Sequence, residues 1–279
     1  MRDVILHHHV FKNAGSTIDW ALQRHFRSAF VDHRDDKSMR TGGMRYVEEY
    51  LLANHGVSAL SSHHMPFDTD YVADGFSFWH LFMMREPIAR ALSVYRFEKT
   101  QRASTPGAQM AKQLDMRGYF QWRLRDESPP VLRNMQTRWL CAVRGSRRLG
   151  EQEFQSALDR SKADRVLIGF VERFDESMVQ AENALRGSFD AIDLAHVIQN
   201  RSRDRPEDPA ATMHESLGDD LYREFCANND YDLRLYRELE GRFAARTQAD
   251  SGFQQQLEAY KSRCADLGGW PSMLRWVKS

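Results

Sequence analysis

The segment from Lys12 to Thr17, Lys-Asn-Ala-Gly-Ser-Thr, combines residue types that bind a phosphate or a similar anion. It lies between a strand-like run and a helix pattern, so backbone N–H groups and the positive end of a helix dipole meet at one point. Gly15 allows close approach of an oxyanion, Ser16 and Thr17 add hydroxyl donors, and Lys12 adds positive charge. An ordinary capped turn has the same short pattern, so this segment needs support from elsewhere in the chain.

The order of residues in this segment differs from that of an ATP-binding P-loop. The Walker pattern places lysine directly before the final Ser or Thr, whereas here Lys12 comes first and Gly-Ser-Thr comes last. No later strand is predicted to end in an aspartate that would hold magnesium, and the long apolar run ends instead in Arg85. The pattern therefore favours an anionic donor that is handled without Mg²⁺.

A second group of anion-binding residue types follows between Arg85 and Tyr95. Arg85 stands where a buried strand stops, Arg90 follows it, and Ser93 lies about two turns into the next helix. An arginine fork contacts a phosphate at two points, and a serine hydroxyl completes the ligation. A salt-bridged helix would also explain these residues, but two anion sites at two strand ends suggest a nucleotide with phosphates at both ends.

Alternating strand and helix patterns must position these residues. Continuous apolar runs predict buried strands, and a 3.6-residue periodicity predicts helices between them. The predicted strands cover residues 4–10, 57–64, 76–84, 165–174 and 195–200, and the predicted helices cover 18–26, 46–53 and a segment opened by Pro87. The alternation predicts an α/β fold with a P-loop-like, mainly parallel sheet flanked by helices, in which ligands bind beyond the carboxyl ends of the strands.

The remaining segments are predicted to belong to the same domain. Residues 100–149 are helical and polar, which indicates a helical insertion, and residues 241–279 read as a C-terminal helical extension. A length of 279 residues allows one large domain or two small ones. We expect a single domain over residues 1–279 whose core covers about residues 1–240.

Composition argues against several classes of function. The chain has 39 Lys and Arg against 39 Asp and Glu, so net charge gives no reason to expect nucleic acid as a partner. Three scattered cysteines without zinc spacing predict free thiols and no metal site. Neither a signal peptide nor a membrane span is visible, which predicts a soluble, cytoplasmic protein. The oligomeric state is left open.

Several segments resemble, in order, those of sulfotransferases that use 3′-phosphoadenosine 5′-phosphosulfate (PAPS). VFKNAGSTI, residues 10–18, resembles the 5′-phosphosulfate loop of that family, and LFMMREPIARALSVY, residues 81–95, resembles its 3′-phosphate motif. SSHHMPF, residues 61–67, is similar to the Gly-His-x-Pro-Phe segment of the carbohydrate-acting branch related to heparan 2-O-sulfotransferases. Shorter similarities follow at residues 134–142, 167–178, 198–202 and 228–239.

The resemblance implies that a hydroxyl of a carbohydrate or glycoconjugate attacks the sulfur of PAPS in line, without a metal, while adenosine 3′,5′-bisphosphate leaves. By motif position His64 is the base, although the glycine that normally precedes it is His63 here. Lys12 is implied to stabilise the leaving oxygen. The residues implied to bind the nucleotide are Lys12, Asn13, Ala14, Gly15, Ser16, Thr17, Arg85, Ser93 and Ser202.

Four other residues are weaker candidates for the site. Glu172 would face the acceptor, orient a histidine or form a structural ion pair, while Gln136 and Arg138 would touch nucleotide or acceptor. Asn200 would contact the nucleotide from the closing loop.

Two other functions fit the same patterns. A P-loop-type small-molecule kinase would need ATP and Mg²⁺, and a non-catalytic nucleotide-binding protein on the same scaffold would need neither His63 nor His64. Within the sulfotransferase interpretation, a lipid-linked sugar, a small glycoside or a protein tyrosine are alternative acceptors.

Overall fold

The computed structural model describes residues 1–199 and 206–268. Within them five strands form one sheet, and every neighbouring pair of strands runs parallel. The strands are β1 (Arg2–His8), β2 (Phe30–Asp32), β3 (Ala59–Ser62), β4 (Phe76–Met84) and β5 (Val166–Phe170). The parallel α/β sheet expected from the sequence is confirmed.

The strand order β2-β3-β1-β4-β5 places β1 at the centre of the sheet. The chain leaves β1 towards β2, and it leaves β4 towards β5, so the two connections diverge from a neighbouring pair of strands. Ligands of open α/β sheets bind in the crevice at such a point, beyond the carboxyl ends of the strands. Since His8 is in register with Phe82, the loops after β1 and β4 leave the sheet side by side.

Helices cover both faces of the sheet. They are α1 (Gly15–Phe26), α2 (Asp36–Ala53), α3 (Pro87–Thr100), α4 (Pro106–Gln113), α5 (Met116–Leu124), α6 (Met135–Leu140), α7 (Glu151–Arg160), α8 (Phe174–Leu185), α9 (Pro209–Asn228), α10 (Asp230–Ala249) and α11 (Phe253–Gly268). None of these helices, in the residues that the structure describes, has the length and apolar character needed to cross a membrane.

Alternate side chains of each strand pack against opposite helix layers. On β1, Ile5 joins a cluster with α1, α8 and α11, whereas Val4 and Leu6 join a cluster with α2. On β4, Phe82 and Met84 pack with α6, α7 and α10. Because both faces are covered, a strand needs apolar residues at successive positions, which explains the continuous apolar run of β4.

The elements at the centre of the fold lie where the sequence predicts them. β4 has the predicted bounds, and α3 begins at Pro87, where the Glu86 side chain accepts hydrogen bonds from the N–H groups of Ile88 and Ala89. Helices α4, α5 and α6 confirm the helical insertion, and α11 confirms a C-terminal helical segment. The strand predicted over 165–174 is too long, because β5 ends at Phe170 and a short 3₁₀ turn leads into α8.

The strand predicted over 195–200 is wrong where it can be examined. Residues 195–199 have no regular secondary structure, and Asn200 lies outside the described residues. Side chains bond the backbone here in place of a neighbouring strand: the N–H of Ala195 donates to Asp193 Oδ1 at 3.0 Å. An apolar run alone does not distinguish a strand from a buried loop that is bonded in this way.

The three-residue strand β2 was not predicted, and it ends in Asp32. The expectation that no later strand ends in aspartate is therefore wrong. Asp32 pairs with Arg34, and β3 separates its strand from β1. Burial, together with the negative charge of Asp19, raises the pKa of Asp32.

Two histidines are buried against the second face of the sheet as a neutral pair. The indole N–H of Trp139 donates to His8 Nδ1 at 3.1 Å, so His8 carries its proton on Nε2 and donates it to His80 Nδ1 at 2.9 Å. The His8 ring also stacks on Phe82. Burial lowers the pKa of His8 well below its ordinary value and lowers that of His80 to about 4.

We expect this pair to make the fold sensitive to acid. The unfolded chain binds a proton at each histidine near pH 6.5, whereas folded His80 binds one only near pH 4, so stability falls as pH drops through that interval. For His80 the loss approaches roughly 3 kcal/mol at the acid end. Urea unfolding between pH 7.5 and 4.5 measures it. His80→Asn, which keeps an acceptor near Nδ1 but does not titrate, should show a shallower pH dependence; an unchanged dependence would contradict this assignment.

Candidate functional site

The loop between β1 and α1 leaves backbone N–H groups free at a helix start. Ala14 adopts a left-handed conformation (φ 60°), and α1 begins at Gly15 without a side-chain cap. The N–H of Asn13 donates to Val10 O and that of Thr17 donates to Ala14 O. In the described residues, no backbone carbonyl accepts from the N–H groups of the three residues between them, Ala14, Gly15 and Ser16. The uncapped start of α1 can therefore bind an anion, whereas Asn13 and Thr17, two of the residues implied to bind the nucleotide, use their amides within the loop.

Ser16, Thr17 and Gly15 have different surroundings in this loop. Ser16 is exposed, whereas Thr17 is 4% exposed and its Oγ1 accepts from the N–H of Gln199 at 3.2 Å. A Cβ added to Gly15 would overlap the imidazole ring of His9. Glycine is therefore required at this position by the packing of His9, and close approach of an oxyanion is not needed to explain it.

Lys12 lies beside the second loop rather than in open solvent. Its φ of 67° turns its carbonyl towards Arg85, whose Nη1 donates to it at 3.0 Å. Its ammonium group lies 4.4 Å from the centre of the half-exposed Phe97 ring. Burial, and then the positive charge of Arg85, lower the pKa of Lys12 to about 8. An anion bound between Lys12 and Arg85 would relieve this repulsion.

Gln136 joins the loop after β1 to the loop after β4. Its Oε1 accepts from the backbone N–H of Arg85 and from Asn13 Nδ2, both at 2.8 Å, and its Nε2 donates to Arg85 O at 2.9 Å. Asn13 Nδ2 also donates to Met83 O at 2.6 Å. Gln136 is 1% exposed, so the structure gives it a positioning role in place of the predicted contact with nucleotide or acceptor.

Asp232 on α10 holds the start of α6, where Gln136 lies, by hydrogen bonds to its backbone. It accepts from the N–H groups of Gln136 at 3.1 Å and Thr137 at 2.7 Å, and thereby caps the first turn of α6. Asp232 is 1% exposed, and burial raises its pKa even though Arg90 lies near it. The connection explains how a helix far along the chain fixes the loop at Arg85.

The arginines predicted near the site have different surroundings. Arg90 is 2% exposed, and both of its terminal nitrogens donate to Val131 O at 2.9 Å, so it is part of the protein interior. Arg138 is also buried and donates to backbone carbonyls, including Gly145 O at 3.1 Å. Arg85 is half-buried and directly follows the end of β4. Ser93, half-buried on α3, keeps its predicted role as a prediction.

The adjacent histidines His63 and His64 point to different surroundings. The ring of His63 lies 4.1 Å from that of His9, and its Nδ1 bonds the His9 carbonyl at 3.0 Å. His64 Nε2 lies 3.7 Å from Asp36 on α2, and its side chain is 36% exposed. Burial lowers the pKa of both, and that of His63 falls to about 4. The described contacts thus bring His63, and not His64, against the first loop.

A polar cluster that the sequence analysis missed lies under the first loop. His7 Nδ1 contacts Asp19 Oδ1 at 2.7 Å, and His9 Nδ1 contacts Asp19 Oδ2 at 2.8 Å. Ser61 Oγ lies 3.0 Å from His7 Nδ1. Burial raises the pKa of Asp19, but the attraction of His7 and His9 outweighs burial and holds it below the usual range. The sequence signal for this cluster is a pair of histidines two positions apart at the end of a strand, followed by an aspartate one turn into the next helix.

The same three residues form a group that could hold a metal ion, since their ligand atoms lie within 4.8 Å of one another. Their contacts fit hydrogen bonding better. The distances of 2.7 and 2.8 Å are those of charge-assisted hydrogen bonds. A metal-bound imidazole normally donates its other N–H to a partner, whereas the buried His7 Nε2 has none.

Two other predicted residues complete the comparison. Ser202, like Asn200, lies outside the described residues, so its predicted contact with nucleotide stays a prediction. Glu172 accepts from the Tyr236 hydroxyl at 3.0 Å and from the N–H of Glu86 at 3.2 Å, which ties α10 to the start of α3.

One relative and one solved structure that resemble this chain are both of low sequence identity. No family model matches it. An uncharacterized protein of Archaeoglobus fulgidus is 27% identical over 249 residues, which cover 85% of this chain and 96% of that protein. The crystal structure of a sulfotransferase from Alicyclobacillus acidocaldarius matches with a TM-score of 0.39 and 16% identity, over 85% of this chain and 99% of that one. Matches this distant do not establish a function, so a functional argument depends on the residues of the site.

Replacing Gln136 by alanine should destabilise the protein. The change removes the partner of the Arg85 N–H and C=O and one partner of the Asn13 amide, and each buried group left unpaired costs about 1–3 kcal/mol. We expect the free energy of unfolding in urea to fall by roughly 2–4 kcal/mol. The control is Gln152→Ala on α7, where the side chain is exposed. Equal stability of the two variants would show that Gln136 does not hold the loops.

Proposed function

We propose that this protein is a sulfotransferase that moves the sulfuryl group of PAPS to a hydroxyl of a carbohydrate or glycoconjugate. The observation that supports it best is the pairing of two basic loops at the β1–β4 crevice, where Arg85 Nη1 bonds Lys12 O and Gln136 bonds both loops. A nucleotide with phosphate groups at both its 5′ and 3′ positions needs two such anion sites close together.

In this proposal the first loop binds the phosphosulfate end of PAPS. The N–H groups of Gly15 and Ser16 and the start of α1 face the 5′-phosphate, and the exposed Ser16 hydroxyl adds a donor. As the bond between sulfur and the bridging oxygen breaks, negative charge grows on the leaving bisphosphate. The ammonium group of Lys12 moves from Phe97 to that oxygen and stabilises the charge.

The second loop binds the 3′-phosphate. Arg85 already stands at the crevice with its backbone held by Gln136, so its guanidinium is the natural two-point donor. Ser93, two turns into α3, completes the ligation with its hydroxyl. Ser202 is proposed to contact the nucleotide from the segment that follows Gln199.

The acceptor hydroxyl attacks sulfur in line and loses its proton to a histidine. The new oxygen–sulfur bond forms as the bond from sulfur to the 5′-phosphate oxygen breaks, and the bisphosphate leaves with the electron pair. By the resemblance of residues 61–67 to the carbohydrate-acting branch, that base is predicted to be His64, and the acceptor a sugar.

A small-molecule kinase is the second candidate, and the observation in its favour is Asp32 at the end of β2. A carboxylate beyond a strand end could hold Mg²⁺ with ATP. Against it, Asp32 is paired with Arg34, and Lys12 stands at the wrong end of its loop for a Walker pattern.

Adenosine 3′,5′-bisphosphate should raise the melting temperature without Mg²⁺, because a ligand that binds only the folded state stabilises it. At a ligand concentration of 100 Kd the gain is about 2.7 kcal/mol. The comparison is ATP with Mg²⁺ under the same conditions. A shift with ATP and Mg²⁺, and none with the bisphosphate, would favour the kinase.

Arg85→Ala should weaken binding of the bisphosphate by roughly ten- to a hundredfold, since a charge-assisted contact contributes about 1.5–3 kcal/mol. Binding of adenosine 5′-phosphate, which lacks the 3′-phosphate, should change much less. Arg85→Lys keeps the charge without the fork and should give an intermediate affinity. Isothermal titration measures each affinity, with the exposed Arg125→Ala as control. Equal losses for both ligands would place the 3′-phosphate elsewhere.

A further inference from the structure

We infer that His9, held by Asp19, is the general base of the proposed transfer, in place of His64. This inference rests on the proposed function and names the residue that takes the acceptor's proton. His9 directly follows the end of β1, the central strand of the sheet, and it precedes the anion loop by only three residues.

The hydrogen bond to Asp19 decides which nitrogen of His9 can act. An ionised carboxylate only accepts, so the proton of neutral His9 lies on Nδ1, 2.8 Å from Asp19 Oδ2. The lone pair is then on Nε2. A buried carboxylate bonded in this way fixes the tautomer and ring orientation, and it stabilises the imidazolium that forms when the base takes a proton.

The free nitrogen faces the anion loop. A Cβ on Gly15 would overlap both Nε2 and Cδ2 of His9, so the ring lies directly on the first residue of α1. The N–H of that residue is one of those left for the 5′-phosphate. A hydroxyl that approaches the sulfuryl group next to this phosphate comes within reach of Nε2. His9 is 9% exposed, which limits access of bulk water to the ring.

Neighbouring side chains keep His9 in place without competing for its proton. His7 bonds the other oxygen of Asp19, and Ser61 bonds His7, so the carboxylate is fixed at both oxygens. His63 lies against the His9 ring, and its pKa of about 4, lowered by burial, keeps it neutral.

His64 has none of these features. It faces Asp36 at 3.7 Å on the α2 side, and more than a third of its side chain is exposed. Its backbone N–H donates to Ser62 Oγ at 3.1 Å. Comparing matched variants of His9 and His64 therefore tests whether the contacts in the structure or the position in the sequence motif identifies the base.

The first measurement needs no acceptor. Long-range ¹H–¹⁵N spectra of histidine-labelled protein report the tautomer of each of the 11 histidines, and His9→Asn identifies the His9 signals by their loss. Asn keeps an N–H donor for Asp19 but has no basic nitrogen. We expect His9 to be the Nδ1–H tautomer and to shift when adenosine 3′,5′-bisphosphate is added, while His64 shifts little. An Nε2–H tautomer, or a His9 signal unmoved by bound bisphosphate, would overturn the assignment.

The second measurement is turnover of PAPS with water as the acceptor, followed by release of sulfate. His9→Asn should lower kcat by roughly 10²–10⁴-fold with little change in bisphosphate affinity. Asp19→Asn can accept from only one of the two histidines; it should lower kcat at least about tenfold, leave the KM for PAPS nearly unchanged and reduce the Nδ1–H tautomer of His9. His64→Ala should lower kcat far less than His9→Asn does, and His55→Ala, at an exposed histidine outside the site, is the control that should leave turnover unchanged. Thermal melts confirm folding of every variant.

Three results would overturn the inference in distinguishable ways. Loss of turnover in His64→Ala, with a healthy His9→Asn, returns the base to His64. One equivalent of transition metal per purified chain, lost in Asp19→Asn, makes the cluster a metal site. If the wild-type protein does not bind the bisphosphate, the proposed sulfotransferase function is wrong. The role of His9 as its base then also fails, even if the spectra show the Nδ1–H tautomer of His9.

Discussion

The candidate site depends on the buried side chain of Gln136, which bonds the loops after β1 and β4 at once. Parallel strands fix only where these loops begin. The amide of Gln136 then fixes Arg85 and Asn13 relative to each other, and Asp232 holds Gln136 from α10. Buried amides and carboxylates without hydrogen-bond partners cost free energy. The helices on this face and the two loops are therefore held in the one arrangement that pairs these groups.

The histidine run at the end of β1 shows how strand geometry separates roles. His7 and His9 point to the α1 face and share Asp19, whereas His8 points to the opposite face and bonds His80. The neutral His8–His80 pair is closed off between Trp139 and the sheet, and burial disfavours its charged form. His7 and His9 instead contact the ionised carboxylate of Asp19, whose pKa they hold below its usual range. Three identical neighbours thus have opposite electrostatic surroundings.

The two proposals share one crevice and one set of constraints. The uncapped start of α1 attracts an anion, Lys12 and Arg85 place positive charge beside it, and the ring of His9 lies on Gly15 at the same point. Gly15 therefore connects the anion loop to the cluster with Asp19. A side chain at that position would push the ring away, so the packing of one histidine explains the glycine of the motif.

The sequence by itself determined the parallel α/β architecture, the bounds of β4, the start of α3 at Pro87 and the two loops that contain Lys12 and Arg85. These follow from local chemistry: apolar runs, a proline with its cap, and glycine before a helix. Only the tertiary structure decided that Gln136 and Arg90 have positioning and structural roles, that β2 ends in Asp32, and that Asp19 joins two histidines. Hydrogen bonds between residues far apart in the chain leave no periodic trace in a sequence, because their geometry exists only once the sheet and its helices have packed.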